Sequence, residues 1–187
     1  MKSVLTAMCF LVLFCACASR RPDHFYILSA QPQGASEART TPATQVSLRV
    51  TLPSLVDRSE LVLNTSMNGV IVLEHERWAA PLADLVTQTL ARDLERRRSD
   101  MMVAAQSGSH AGAAVKVTVD LVQVTVRKGE RASIEAHWRI LDPRTGGDAV
   151  GSEVFSAPLA QDDYSAVPQA LSECLGLLAD RLMGQLR

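Results

Sequence analysis

The chain has 187 residues and a formal net charge of −1, enough for one globular domain and without the basic surplus that a nucleic-acid partner asks for. Three of its four cysteines (Cys9, Cys15, Cys17) crowd into the N-terminus and only Cys174 lies beyond, which excludes a disulfide framework.

Residues Met1 to Ala16 read as a signal peptide. Lys2 is a short positive segment, and Val4 to Ala16 is an uncharged, mostly apolar run of 13 residues. A membrane-spanning helix needs about 20 such residues, so the run suits a secretory leader. A lipoprotein signal requires a small residue before the modified cysteine. Cys9 follows Met8 and Cys15 follows Phe14, whereas Cys17 follows Ala16. Phe14-Cys15-Ala16-Cys17 therefore resembles a lipobox, with Phe at the usually aliphatic position, and Cys17 is the expected lipidation site. The alternatives are an uncleaved anchor or an ordinary cleaved signal. Three acyl chains on Cys17 would make membrane attachment effectively permanent.

Residues 17–44 read as a lipidated N-terminus and tether. Gln31 to Thr44 is rich in Pro, Ala, Ser, Thr, Gly and Gln and has no apolar period, so it cannot offset its ordering entropy. Within the tether, Phe25-Tyr26-Ile27-Leu28 is a compact apolar cluster expected to dock on the domain as an extended segment. The two aromatics, Phe25 and Tyr26, suit either packing or a partner interface.

A single domain is expected over residues 45–187. Val46, Leu48, Val50 and Leu52 alternate as in a half-buried strand that Pro53 ends. Asp57-Arg58 in the following loop suits loop anchoring, at carbonyls or a helix end, or a partner contact. Leu61–Leu63 and Val70–Leu73 flank Asn68-Gly69 and suggest a hairpin. Trp78 precedes a helix that starts at Pro81, so it suits a staple on the first turn, a core position or an exposed interface. Leu82, Leu85, Val86, Leu90 and Leu94 trace that helix to about Arg98. Arg96, Arg97 and Arg98 complement its dipole; a solvated helix end and a contact with acidic lipid both fit.

Met101–Ala105 reads as a short strand. Val115, Val117, Val119 and Leu121 alternate, then Val122, Val124 and Val126 continue in the opposite phase, which implies a bulge or burial of both faces. Lys128-Gly129-Glu130 and Asp142 to Gly147 are turns around a return strand through Ala132, Ile134, Ala136, Trp138 and Ile140. A last strand spans Val150 to Phe155, so three strands form an antiparallel meander. From Ser165 a second helix buries Ala170, Leu171, Cys174, Leu175, Leu178, Leu182 and Leu186, widened by Leu177 and Met183. Asp162-Asp163 suits its N-terminal dipole. The fold class is α+β: a largely antiparallel mixed sheet with two amphipathic helices on one face.

No nucleophile elbow, phosphate loop or dinucleotide fingerprint occurs. His75 alternates away from Glu74 and Glu76, which argues against a metal site, and His137 faces away from the Ile134/Trp138 side. Cys174 reads as a core thiol. Neither a catalytic residue, a metal nor a cofactor is expected.

In order along the chain, the lipobox, Phe25-Tyr26-Ile27-Leu28, Val50 to Arg58 with its Pro53-x-Leu55-x-Asp57-Arg58, Leu61-Val62-Leu63, Trp78-Ala79-Ala80-Pro81-Leu82, Ala136 to Asp142, Phe155 and the C-terminal helix resemble the PqiC-like ABC-transport auxiliary lipoproteins. The chain departs from that pattern at Phe14, Phe25, Val56 and Ser59. The resemblance implies an outer-membrane lipoprotein, on the periplasmic face, serving a lipid transporter of the mammalian-cell-entry (MCE) type and docking its periplasmic MCE-domain protein. Ala18, which is not Asp, fits outer-membrane sorting in the enteric scheme. Self-assembly into a homo-oligomer would suit a tubular partner. Two other readings stay open: direct binding of phospholipid or another apolar ligand on a sheet face left uncovered by helices, and a structural or assembly role in another envelope complex.

Overall fold

The computed structural model describes residues 21–32, 44–65, 68–105, 115–159 and 163–186. Cys17, His110 and Asp162 lie outside them. Among the described residues, eight strands and two helices run in the order β1 (His24–Tyr26), β2 (Thr44–Thr51), β3 (Glu60–Asn64), β4 (Val70–Trp78), α1 (Leu82–Arg97), β5 (Met101–Ala105), β6 (Val115–Arg127), β7 (Arg131–Asp142), β8 (Gly147–Pro158) and α2 (Ala166–Met183). The class is α+β, as the periodicities imply. The strands are shared between a five-stranded sheet, β5-β2-β6-β7-β8, and a three-stranded one, β1-β4-β3.

β6, β7 and β8 form the expected antiparallel meander. Gly129 and Gly146 supply the positive φ that its two turns require. β2 lies parallel to both β5 and β6. A parallel pair needs a long crossover, and between β2 and β5 the β3–β4 hairpin and α1 provide it.

One row of the large sheet is apolar. Val46 and Leu48 of β2, Val115, Val117, Val119 and Leu121 of β6, and Ala132, Ile134, Ala136, Trp138 and Ile140 of β7 are all buried. Both helices cover this row: Leu82, Val86, Leu90 and Leu94 of α1 and Leu171, Cys174, Leu175, Leu178 and Leu182 of α2 complete the core. Each such aliphatic side chain contributes roughly 1.5–3 kcal/mol by leaving water. Leu177 departs from the helical reading and is exposed, and Leu186 is buried beyond the helix end.

The phase change in β6 is a bulge. Leu121 pairs with Ala136 and Gln123 with Glu135, leaving Val122 as the extra, exposed residue. Val124 and Val126 thereby return to the face of Ile134 and Ala132. Beyond the bulge β2 no longer pairs with β6, and the backbone N–H of Val126 donates to Asn64 Oδ1 of β3 at 2.9 Å. The small sheet is joined to the large one there.

Candidate functional site

Most residues that the sequence singles out converge on one corner, where β1, the loop after β2, the end of β4 and the start of α1 meet. Extended backbone alternates, so His24 and Tyr26 share one side while Phe25 and Ile27 share the other. β1 lies parallel to β4 with Tyr26 opposite Trp78. The Tyr26 hydroxyl donates to Glu76 Oε2 at 2.6 Å, and His24 Nδ1 lies 3.1 Å from Glu76 Oε1. Burial and this acceptor push the Tyr26 phenol well above its ordinary value. Phe25 remains 64% exposed and Ile27 60%. The cluster therefore docks through Tyr26 and Leu28, and its two aromatics do not act together.

The same corner fixes the loop after Pro53. The Pro53 carbonyl accepts from the N–H groups of Val56 and Asp57. Pro81 occupies the N-cap of α1, one residue before the predicted first turn, and offers no side-chain acceptor. Asp57 supplies one from outside: its Oδ1 accepts from the Ala83 N–H at 3.3 Å. Arg58 donates to Glu60 Oε2 at 3.0 Å. Both charges thus anchor the loop. Trp78 is buried, its N–H donating to the Ser59 carbonyl at 2.7 Å, and the N–H of Ala79 donates to the Tyr26 carbonyl at 2.8 Å. Trp78 lies in the core and not on an exposed surface.

From Tyr26 the chain continues as a strap over both helices. Leu28 is buried, the Ser29 N–H donates to Ser172 Oγ at 3.0 Å, and the Gln31 N–H donates to Asp93 Oδ1 at 2.9 Å. Arg96 donates to the carbonyls of Ala30 and Gln31, both at 2.9 Å. The strap passes close over Gly176, where a Cβ would stand 2.6 Å from Gln31 Cγ and make that side chain shift. The packed body therefore takes in residues that composition assigns to the tether.

Beneath the strap lies a charge network that the periodicity did not disclose. Asp93 is fully buried and Arg97 is 8% exposed. The Arg97 guanidinium donates to the Asp93 carbonyl and to its Oδ1, to Asp180 Oδ1 at 2.6 Å and to the Gly176 carbonyl at 2.8 Å. Burial opposes the Arg97 charge, but Asp180 and Asp93 hold its pKa above the usual value. Burial pushes the Asp93 carboxyl above its ordinary range against the pull of the Gln31 N–H and Arg97. Asp93 Oδ2 has no hydrogen-bond partner. Arg98 is paired with Asp100 at 2.8 Å. Arg97 and Arg98 fasten segments together from half-buried positions, while Arg96 holds the strap carbonyls from the exposed side of the helix end. A carboxylate at position 93, between Leu90 and Leu94 on the apolar stripe, was the signal available in the sequence.

Reactive chemistry is scarce. Cys174 is buried with its Sγ 3.6 Å from the Ala132 carbonyl, and burial pushes the thiol up to about 12. Among the described residues no three metal-ligating side chains gather, and no helix is long and apolar enough to cross a membrane. His75 lies 2.9 Å from Asp23 and His137 3.8 Å from Glu135, both on the surface. The face of the large sheet left uncovered by helices carries Lys116, Asp120, Glu135, His137 and an Arg139–Asp148 pair at 2.6 Å. It offers no continuous apolar cradle. A cavity of about 320 Å³ opens instead at the end of that sheet, with Met101, Val115, Ile140 and Leu186 in its lining and Arg98 and Thr44 beside them.

A family model described as the ABC-type transport auxiliary lipoprotein component matches residues 26–183. No curated protein matches. The fold is similar to a crystal structure of an uncharacterized protein, at 15% identity and a TM-score of 0.73, over 89% of this chain and 100% of that one. It is also similar to a Xanthomonas campestris protein, at 17% identity and a TM-score of 0.64, over 86% and 93% of the two chains.

Proposed function

Because the chain belongs to the family of ABC-type transport auxiliary lipoprotein components, we propose that it is a non-catalytic accessory of an MCE-type lipid transporter, held by acyl chains on Cys17 at the periplasmic face of the outer membrane, where it docks the transporter's MCE-domain protein. The observation that carries this reading is the strap. His24 pairs into a sheet only seven residues after Cys17, so a lipid on that cysteine would place a rigid body close above the bilayer. Such confinement raises the effective concentration of the domain for a partner in the same envelope. The burial of Cys174, which pushes its thiol up to about 12, supports work by docking and not by turnover.

Two measurements test the reading. Intact-mass analysis of the membrane fraction is expected to show a chain beginning at Cys17 with diacylglyceryl and N-acyl groups, and Cys17→Ser is expected to release the protein from the membrane. Affinity capture from detergent-solubilised envelopes is expected to recover an MCE-domain protein. An unmodified Cys17 in a protein already free of membrane would overturn the anchoring, and capture without any MCE-domain protein would overturn the docking role.

The cavity at the sheet end favours a second reading, direct binding of a phospholipid chain. Its volume is at the low end of ligand pockets, and its lining combines the apolar Met101, Val115, Ile140 and Leu186 with Arg98 and the carboxylates of Asp142 and Asp148. Native mass spectrometry after gentle extraction is expected to show one co-purified phospholipid per chain under this reading, and bare protein would refute it.

A further inference from the structure

β8 is a 12-residue strand at the end of the large sheet, and among the described residues no strand pairs with its outer edge. Exposed edges of this length are ordinarily blunted by prolines, charges or bulges. β8 has a regular register against β7, its one proline is the terminal Pro158, and its outward row reads Asp148, Val150, Ser152, Val154 and Ser156. Val150 is 70% exposed and Val154 60%.

We propose that β8 pairs antiparallel with the β8 of a second copy of this chain, on a two-fold axis at Ser152, joining two five-stranded sheets into one. The occupant follows from the sequence of the strand. A two-fold axis normal to a sheet keeps each side chain on its own face, so it must pass through a residue and not between two. At Ser152 it sets Val150 against Val154 twice and Asp148 against Ser156. On the helix-covered face it sets Ala149 against Phe155 and Gly151 against Glu153. No like charges stand directly opposite one another, the two diagonally placed Glu153 carboxylates each keep an Arg181 partner at 2.6 Å, and both exposed valines gain a cross-strand apolar partner. An axis at Glu153 would oppose two carboxylates. An axis at Gly151 would set Asp148 against Val154, and one at Val154 would bring in Pro158, which has no N–H to give. The interface is isologous and closes as a dimer. It requires no MCE protein and stands apart from the docking proposed above.

The test uses the full lipidated chain in detergent. The two Ser152 Cα atoms would lie about 4.5–5.5 Å apart across the pair, within disulfide range. Ser152→Cys is therefore expected to form a disulfide-linked dimer on mild oxidation, at least tenfold more than Thr118→Cys, which lies on the same sheet face two strands inward. Light scattering is expected to give a dimer for the native chain and a monomer for Val150→Lys/Val154→Lys, with unchanged circular dichroism. Equal crosslinking of the two cysteine variants, or a native monomer, would overturn the proposal. So would a dimer that survives both lysines.

Discussion

Arg97 is the residue at which one substitution is expected to cost most. Its truncation would leave Asp93 as an uncompensated buried charge and free the Gly176 carbonyl and Asp180 together. Arg97→Ala is expected to lower unfolding stability by about 3–5 kcal/mol, measured by denaturant titration. Asp93 carries a distinct pH signature. Its folded pKa is raised, so between the ordinary carboxylate value and the raised one the folded state binds more proton than the unfolded chain. Stability from this group therefore grows as pH falls through that window, the reverse of paired surface carboxylates such as Asp148, whose pKa is lowered by Arg139. The melting temperature of the native chain relative to Asp93→Asn is expected to shift in favour of the native chain as pH drops through that window. A constant difference across the range would refute the assignment. Gly151 is a third sensitive point. A Cβ there would stand 2.4 Å from Cζ2 of Trp138, whose indole N–H is fixed by Gln185 at 2.8 Å. Gly151→Ala is expected to cost about 1–3 kcal/mol by overpacking, read as a lowered thermal midpoint.

At the scale of elements, α1 depends on a cap that its own sequence lacks. Asp57 lies 26 residues before Ala83, the N–H it accepts from, and no local capping pattern announces it. Asp57→Ala is expected to destabilise by about 1 kcal/mol, with amide exchange quickening first at Ala83 and its neighbours. The elements themselves were largely legible. Val115 to Leu121 and Ala132 to Ile140 repeat every two residues, and Leu82 to Leu94 every three or four, because each packs one face on a common core. The phase slip at Val122 was also visible, although only the pairing of Leu121 and Gln123 distinguishes a bulge from two buried faces. What the sequence withheld were relations between distant segments. Nothing local says that β2 runs parallel to β5 and β6, or that Tyr26 lies opposite Trp78. The motif residues Tyr26, Asp57, Trp78 and Pro81 were each identifiable, whereas their meeting at one corner was not, since it depends on backbone contacts such as Ala79 to Tyr26.

For the molecule as a whole, the strap decides where the folded unit begins. The cluster from Phe25 to Leu28 was expected to dock, and Leu28 is buried; beyond it Gln31, which composition assigns to the tether, is tied to Asp93. Leu28→Ala is expected to lower global stability by about 2–5 kcal/mol, as for a core leucine. A change under a few tenths, measured by the same titration, would instead mean that the strap docks independently of the cooperative unit. The parallel registry of β1 with β4 has a mechanical corollary. Tension arriving through residue 21 along the strand axis loads the β1–β4 hydrogen bonds in shear, all at once, where a perpendicular tug would unzip them one by one. It is then delivered into β4, the middle strand of its sheet, and through Leu28 and Gln31 into both helices. A body suspended by its leading end in this way can be jostled by a large neighbour without peeling open from the point of suspension.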